Sequence, residues 1–336
     1  MKFPLARPSW PATVPRDPPR RSVGVDYTTD WARRYPARVA RVALVDFVAR
    51  PIVTAVATPE IAGRERIEHL DGPLIFVANH MSHVDTPLLL SSLPPRFRHR
   101  AVVAAAADYF FDHTWKGALW AFALGAIPLE RTRPSRRSAD LAASLIAEGW
   151  NLVIFPEGGR SPDGWGQQLR AGAAYLSART AAPVVPVHLG GTRAILAKGS
   201  KRFRPGRTTV TFGAPIVPEE GSDARRLAAH IADRLAELSD GSGPDWWQAR
   251  RRAAEGATPP LTGPDLVAWR RAWARENGRR VPGRTGRQGV VQRRGPRPAG
   301  VGPAAGAGGA KSAAGDTAAP GMRDEAREGS PWARRS

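Results

Sequence analysis

Three ionisable side chains lie close together in the stretch LIFVANHMSHVDTPLLL, at residues 74–90. An apolar run leads to His80 and His83, and Asp85 follows before apolar residues resume. A carboxylate bonded to one ring nitrogen of a histidine fixes its tautomer and stabilises the imidazolium that forms when the other nitrogen takes a proton. The stretch therefore fits a histidine general base that is oriented by an aspartate.

Two other interpretations of this stretch stay open on its residues alone. The pattern H-x-x-H-x-D is similar to part of a metal site, although the zinc-binding histidine loops of metallohydrolases usually read H-x-H-x-D-H. Alternatively, Asp85 is a helix cap ahead of Thr86 and Pro87, and both histidines are ordinary polar loop residues.

Three further apolar runs carry residues that bear on the chemistry. They are GAIPLERTR from residue 125, IFPEGGRS from residue 154 and VVPVHL from residue 184. On a mainly parallel sheet the ends of such strands gather at one edge, where open α/β folds bind ligands. Arg131 and Arg160 can each hold phosphate oxygens through two parallel hydrogen bonds, which lysine cannot. The alternative role is a structural ion pair, for example between Arg160 and Glu157.

The elements that must position these residues alternate between strands and helices. The predicted strands are RIEHL, LIFVAN, AVVAAA, AIPLE, NLVIFP, PVVPVHL and TTVTFG, between residues 66 and 213. Short β-rich runs separated by helices predict an α/β fold. We expect a mixed, largely parallel sheet covered by helices on both faces, with a catalytic core at residues 61–240.

The two ends of the chain differ from this core. Residues 1–27 contain six prolines without apolar periodicity, which predicts a disordered arm. Residues 28–60 are typical of amphipathic helices with breaks at Pro36 and Pro51, and such helices either lie in a membrane interface or pack on their own domain. Residues 241–336 are rich in arginine, proline, glycine and alanine, so we expect a mostly disordered basic tail with short helices around DWWQARRR and DLVAWRRAWARENG.

Composition limits the chemistry and the location. The 336 residues include no cysteine, which excludes disulfides, thiolate zinc sites and cysteine nucleophiles. The start lacks the apolar stretch of a secretory signal, and no segment approaches the roughly 18–20 apolar residues of a membrane span, so we expect a cytoplasmic protein. The net charge of +20 favours an anionic partner, but only five of 50 basic residues are lysines, an arginine bias that a GC-rich genome would also produce.

Four blocks in fixed order resemble the glycerophospholipid acyltransferase family, in particular bacterial 1-acylglycerol-3-phosphate acyltransferases. The family pattern is N-H-x-x-x-x-D, G-x-x-x-x-x-R, F-P-E-G-T-R-S and V-P-V. In this chain the blocks are Asn79-His80 to Asp85, Gly125 to Arg131, Phe155 to Ser161, and Val185-Pro186-Val187. The resemblance covers about residues 60–217. It departs from the pattern at Gly159, usually threonine, and at Pro128, where many members have phenylalanine.

The resemblance implies roles for residues in all four blocks. His80 would take the proton of an acceptor hydroxyl that attacks the thioester of acyl-CoA or acyl carrier protein, and Asp85 would orient His80. The implied substrate-binding residues are Arg131, Glu157, Gly158, Gly159, Arg160 and Ser161, and Pro186 would border an acyl pocket. Neither a cofactor nor a metal is implied, because the acyl thioester is a co-substrate. The sequence also lacks the G-x-S-x-G motif of serine-nucleophile enzymes.

The function implied is transfer of a fatty acyl group to the sn-2 hydroxyl of 1-acylglycerol 3-phosphate, which gives phosphatidate in phospholipid biosynthesis. Such an enzyme would meet a lysophospholipid at an anionic membrane, as a peripheral protein on the inner face of the cell membrane. The first alternative keeps this chemistry with another acceptor: glycerol 3-phosphate, another lyso-lipid or a lipophilic alcohol. The second is a basic membrane- or nucleic-acid-binding module, but without a recognised nucleic-acid-binding fold we do not expect nucleic acid as a partner.

Overall fold

The structure, a computed structural model, describes residues 23–131, 135–219, 221–243 and 245–266, together with residues 271 and 275. Most of the predicted N-terminal arm and most of the predicted tail lie outside these residues. The predicted helix DLVAWRRAWARENG also falls largely outside them.

Seven strands within the described ranges form one sheet in the order β1-β7-β6-β2-β5-β3-β4. The strands are β1 (Pro59–Ala62), β2 (Ile75–Ala78), β3 (Ala101–Ala106), β4 (Ala126–Leu129), β5 (Asn151–Ile154), β6 (Val184–Gly190) and β7 (Thr208–Phe212). Neighbouring strands are parallel except β6 and β7, which are antiparallel. The prediction of a mixed, largely parallel sheet is therefore confirmed.

The edge of the sheet at β1 differs from the prediction. RIEHL is not a strand: residues Glu65–Glu68 form a single helical turn. Instead, β1 occupies Pro59–Ala62, which overlaps the last two residues of the segment predicted as helical up to residue 60. Thr58 has a left-handed backbone with φ of 36°, which ends the helix and redirects the chain. A proline is tolerated at the start of an edge strand because its missing N–H faces no partner strand.

Helices cover both faces of the sheet, as predicted. They are α1 (Tyr35–Leu44), α2 (Arg50–Ala57), α3 (Glu65–Glu68), α4 (Asp85–Ser92), α5 (Pro95–Arg98), α6 (Ala107–Phe110), α7 (Thr114–Leu124), α8 (Arg136–Ala147), α9 (Gly172–Thr180), α10 (Thr192–Ile195), α11 (Ala224–Gly241) and α12 (Trp246–Ala254). Phe76 and Ala78 of β2 belong to the cluster that includes α2 and α4, whereas Ile75 and Val77 belong to the cluster with α8, α9 and α11. Strand β2 is therefore completely buried, which explains its continuous apolar sequence.

The helices near the N-terminus form one continuous segment. A π-helical turn, Val45–Ala49, joins α1 to α2, so the predicted break at Pro51 does not occur. The wider turn directly before Pro51 accommodates a residue that has no N–H and needs space near the carbonyl four positions earlier. Pro36 lies in the first turn of α1, where proline is well tolerated.

This N-terminal helical segment has two different sides. Val53 and Ala57 pack into the domain core, whereas large apolar side chains on the other side are exposed. These exposed side chains are Tyr35, Val39, Phe47, Val48 and Ile52. Phe47 keeps 81% of its surface accessible, which ordinary packing on the domain does not explain. No helix in the described ranges is both long and apolar enough to cross a membrane.

The described structure begins earlier than predicted. Tyr27 falls within the predicted arm, but it is buried, and its ring lies 5.4 Å from that of Phe111. The amide of Gly24 also donates to the carbonyl of Phe111 at 2.7 Å. The predicted start of ordered structure at residue 28 is therefore too late, because this aromatic pair fixes the preceding residues.

The predicted boundary at residue 241 is also wrong for the described residues. Helix α11 runs through Gly241, and residues 246–254 form α12, where the sequence suggested a short helix. Arg252 of α12 donates two hydrogen bonds to Asp240 of α11, at 2.8 and 2.7 Å. Ala249 is buried at this contact, so α12 belongs to the folded domain.

A buried amide side chain at the start of β5 generates a stability prediction. Asn151 accepts a hydrogen bond from the amide of Leu74 at 3.0 Å and donates to the carbonyl of Phe97 at 3.1 Å. Asn151→Ala leaves the buried Leu74 amide unpaired and removes one of the two hydrogen bonds of the Phe97 carbonyl, so we expect the free energy of unfolding to fall by about 1–3 kcal/mol in urea denaturation. Ser144→Ala removes an exposed hydrogen bond and is the control. Equal stability of the two variants would contradict this role.

Candidate active site

The central pair of the site is His80 and Asp85, which follow strand β2. The His80 Nδ1 lies 2.9 Å from Asp85 Oδ2, and the Asp85 side chain is completely buried. The same oxygen accepts the amides of Met81 and Ser82 at 2.6 and 2.7 Å. In this arrangement His80 Nδ1 donates a hydrogen bond to Asp85, and the other ring nitrogen, Nε2, is the one that can accept a proton.

Asp85 does not act as a helix cap. Helix α4 begins at Asp85 itself, and the cap position is that of Val84, without a side-chain hydrogen bond. The carboxylate instead turns back to the amides that precede it in the loop, which draws the loop around His80. The helix-cap interpretation of the sequence is therefore wrong.

The two histidines of the stretch occupy different environments. His80 stacks on Phe155, with ring centroids 4.3 Å apart, whereas the His83 ring lies beside Tyr109 at 6.1 Å. Partial burial of the ring, followed by the positive charge of Arg160, lowers the pKa of His83. Within the described residues, no group of three or more His, Cys, Asp or Glu side chains is placed to hold a metal ion.

Asn79 fixes the end of β2, a role that sequence reasoning did not assign. Its side chain donates to the carbonyl of Leu189 at 2.9 Å and accepts the amide of Leu189 at 2.7 Å. Asn79 is buried, so both of these bonds to β6 are shielded from water. The only signal in the sequence was its place in the first block, next to His80.

Glu157 connects the first and third blocks through backbone groups. One carboxylate oxygen accepts the amide of His80 at 2.9 Å, and the other accepts the amide of Gln167 at 3.1 Å. Burial raises the pKa of Glu157 to about 7, against the effect of the two backbone hydrogen bonds, and the negative charge of Asp85 raises it further. Both oxygens are thus occupied, and Glu157 anchors the loop.

The rest of the third block wraps around His80. The amide of Ser161 donates to the carbonyl of His80 at 2.9 Å, and Ser161 is fully buried. Gly158 has φ of +72°, and a side chain at this position would meet the guanidinium of Arg170 at 2.9 Å. The carbonyl of Gly159 accepts a hydrogen bond from the Gln167 side chain at 2.7 Å. The third block is therefore a folded loop rather than a free one.

Arg160 does not form the ion pair with Glu157 that the sequence left open, because both oxygens of Glu157 are bonded to backbone amides. No ion pair of the described residues involves the Arg160 guanidinium. Its charge is close enough to His83 to lower the pKa of that residue. Arg160 therefore offers a positive charge beside the histidine loop.

Arg131 lies farther from this centre. Its guanidinium pairs with Asp108, with Nη2 2.7 Å from the carboxylate, and 39% of its side chain is exposed. No hydrogen bond or ion pair within the described ranges joins Arg131 to the histidine loop or the third block. The block's glycine, Gly125, has φ of +66° at the end of α7, where a side chain would lie 2.4 Å from Arg41.

Pro186 does not border an open pocket. It is buried in β6, and its ring lies beside Gly213 and near Leu238 of α11. Its neighbours Val185 and Val187 point to the opposite face, the one that carries α4. Because side chains alternate along a strand, Pro186 faces away from α4, and its expected role at an acyl pocket is corrected to a core position.

The structure thus brings together His80, Asp85 and residues 157–161 of the third block, at the carboxyl ends of β2 and β5. Arg131 is at the end of β4, and Pro186 is in the core. No hydroxyl side chain in the described residues is hydrogen-bonded to His80. The arrangement therefore suits proton removal from an external hydroxyl group and not activation of an internal nucleophile.

Comparisons with known proteins agree with this geometry. A family model described as acyltransferase matches residues 58–190. The chain is 31% identical over 186 residues to the chloroplastic 1-acyl-sn-glycerol-3-phosphate acyltransferase BAT2 of Brassica napus, covering 53% of this chain and 50% of that protein. It is 28% identical over 166 residues to the bovine 1-acyl-sn-glycerol-3-phosphate acyltransferase alpha, covering 48% and 55% respectively. The chain spans about half the length of these relatives.

A solved structure shares the fold. The 1-acyl-sn-glycerophosphate acyltransferase PlsC of Thermotoga maritima superposes with a TM-score of 0.50 at 22% identity, covering 62% of this chain and 83% of that one. The family match spans all four blocks, and His80 and Asp85 lie inside it. Over these residues the chain is therefore similar to the acyltransferase family and to proteins named 1-acyl-sn-glycerol-3-phosphate acyltransferase.

Proposed function

We propose that the protein transfers a fatty acyl group from acyl-CoA or acyl carrier protein to the sn-2 hydroxyl of 1-acylglycerol 3-phosphate, giving phosphatidate for phospholipid biosynthesis. The observation that carries the proposal is the 2.9 Å bond between His80 and buried Asp85, beside the third-block loop. The names of the relatives support lysophosphatidate as the acceptor. No cofactor enters the proposal, because the acyl thioester brings its own activated carbonyl.

The reaction needs one base and no covalent enzyme intermediate. His80 Nε2 takes the proton of the sn-2 hydroxyl while that oxygen attacks the thioester carbonyl. The tetrahedral intermediate then collapses, breaks the carbon–sulfur bond and expels the thiolate, which takes the proton from the imidazolium. Asp85 stabilises the imidazolium between these two transfers, because its charge is held 2.9 Å away in a buried place.

The third-block loop supports a phosphate-bearing acceptor. Arg160 offers a guanidinium without an ion-pair partner in the described residues, on a loop fixed by Glu157 and Ser161. A guanidinium holds phosphate through two parallel hydrogen bonds. Arg131 is a second candidate, because its ion pair with Asp108 is exposed and weak enough to exchange for a phosphate.

The location proposed is the inner face of the cell membrane, with the protein bound peripherally to an anionic surface. The exposed apolar side chains of the N-terminal helical segment, Phe47 above all, support this placement. The net charge of +20 favours an anionic surface. The lysophosphatidate acceptor of the proposed reaction and its phosphatidate product are both membrane lipids.

The two histidines provide a test of the mechanism. We expect His80→Ala to lower kcat for phosphatidate formation by about 10²–10⁴, the usual contribution of a general base. His83→Ala is the matched control, because His83 is not bonded to Asp85, and its kcat should stay within about threefold of the original. Radiolabelled acyl-CoA with lysophosphatidate measures both, and circular dichroism checks the fold. Near-normal turnover by a folded His80→Ala protein would contradict the mechanism.

The acceptor is tested at Arg160. We expect Arg160→Ala to raise the KM for lysophosphatidate by about ten- to a hundredfold, the value of a charged hydrogen bond to phosphate. The KM for monoacylglycerol, which lacks the phosphate, should hardly change. A wild-type preference for the phosphate-free acceptor would instead favour a lipophilic alcohol as the acceptor, and it would remove the phosphate roles of Arg160 and Arg131.

A further inference from the structure

The segment after α12 returns to the loop that follows the third block. For this contact we call residues 261–266 with Arg271 and Arg275 the C-terminal strap, and residues 157–167 the third-block loop. The carbonyl of Leu261 accepts the amide of Gly166 at 2.8 Å, and the indole N–H of Trp165 donates to the carbonyl of Arg271 at 3.1 Å. The Leu261 side chain also packs against the apolar cluster under α11. The contact is thus both polar and apolar.

Arg271 connects the two segments through its whole guanidinium. Its Nε donates to Asp163 Oδ2 at 3.0 Å, while its two terminal nitrogens donate to the carbonyls of Pro264 and Thr262 at 2.8 and 3.0 Å. The other oxygen of Asp163 accepts the amide of Trp165 at 3.0 Å. Only 23% of the Arg271 side chain is exposed, so water screens this pair less than a surface pair. Arg271 therefore links Asp163, at the far end of the loop, to two backbone carbonyls of the strap.

Two glycines show how closely the segments approach. Gly263, with φ of +69°, faces the indole of Trp165, and a side chain there would lie 2.3 Å from the ring. Gly164, with φ of +92°, lies under the guanidinium of Arg275, which donates to the carbonyl of Asp163 at 2.7 Å. The contact has no room for a side chain at either position. The strap is therefore fitted to this loop and does not merely lie over it.

The near end of the loop is bonded to the catalytic histidine. The backbone of His80 exchanges hydrogen bonds with Glu157 and Ser161, and Arg160 lies between those two residues. We infer that the C-terminal strap positions the third-block loop for the acceptor, and that Arg271 is its main positioning residue. This inference rests on the proposed function, which assigns the phosphate of the acceptor to Arg160. The strap lies outside the segment 58–190 that matches the acyltransferase family model.

Steady-state kinetics separate positioning from chemistry. A loop that samples other positions weakens the ground state and the transition state equally, which raises KM and leaves kcat nearly unchanged. For Arg271→Ala we expect the KM for lysophosphatidate to rise about tenfold, below the roughly hundredfold that a 1 Å misplacement can cost, with kcat within about twofold. Asp163→Asn keeps an oxygen for the Trp165 amide but loses the ion pair, so it should give the same change. The double variant should be no worse than Arg271→Ala alone, because that variant already removes the ion pair with Asp163.

Arg252→Ala is the matched control. Arg252 also lies C-terminal to α11 and makes two hydrogen bonds to a carboxylate, that of Asp240, but no hydrogen bond or ion pair of the described residues links it to the third-block loop. Arg252→Ala removes one positive charge and one ion pair with an aspartate, as Arg271→Ala does. We expect its KM for lysophosphatidate to equal that of the unchanged protein.

Hydrogen–deuterium exchange tests the role of the strap without an assay of enzyme activity. Amide exchange in residues 163–167 should become faster in Arg271→Ala and Asp163→Asn, and it should stay unchanged in Arg252→Ala. If the protein does not acylate lysophosphatidate but exchange responds in this pattern, the strap stands and the proposed function fails. If Arg271→Ala does not fold, Asp163→Asn decides alone. The inference would be overturned if Arg271→Ala and Asp163→Asn both showed the same amide exchange rates and the same KM for lysophosphatidate as Arg252→Ala.

Discussion

The site depends on one completely buried carboxylate, that of Asp85. Asp85 Oδ2 accepts three hydrogen bonds, from the His80 ring and from the amides of Met81 and Ser82. The other oxygen, Oδ1, is buried without a hydrogen-bond partner in the described structure. Such a group costs free energy, which the rest of the fold must offset. In the proposed mechanism this carboxylate stabilises a protonated His80.

Backbone contacts from three strands hold the base still. Asn79 bonds the end of β2 to the backbone of β6, while the loop after β5 bonds the amide and the carbonyl of His80. Every one of these contacts ends on a peptide group of a neighbouring element. A single histidine can therefore be oriented within a narrow range although 16% of its side chain remains exposed. The same loop extends to Asp163 and the C-terminal strap, which links residues far apart in the sequence to the base.

The sequence predicted the parts of the fold that depend on periodicity. Strand β2 has a continuous apolar run because both faces are covered, and the polar residues after β2 and β5 met at one edge as expected for parallel strands. It did not predict which groups Glu157 bonds, because hydrogen bonds from distant amides to a carboxylate leave no pattern in the sequence. Arg131 pairs with Asp108, which a motif cannot reveal either. The face of Pro186 was readable in principle, since alternation along β6 places it opposite Val185 and Val187.

Errors at the ends of the domain have a common physical cause. Residues 241–266 have the composition of a disordered segment, yet a few contacts, such as Leu261 on Gly166 and Gly263 on Trp165, are enough to fix them. Tyr27 against Phe111 does the same near the N-terminus. Composition averages over many residues, so it overlooks a small number of well-placed side chains.

The turnover of Asp85→Asn is the most direct measurement of whether the buried charge drives the reaction. Asparagine has nearly the same size and keeps an oxygen for the amides of Met81 and Ser82, but it removes the charge that stabilises the His80 imidazolium. In a protein whose thermal unfolding shows that the fold is retained, we expect kcat for phosphatidate formation to fall by about 10²–10⁴ at every pH measured. A kcat within about threefold of the original would contradict the role of the Asp85 charge, because loss of general-base catalysis lowers kcat by a much larger factor.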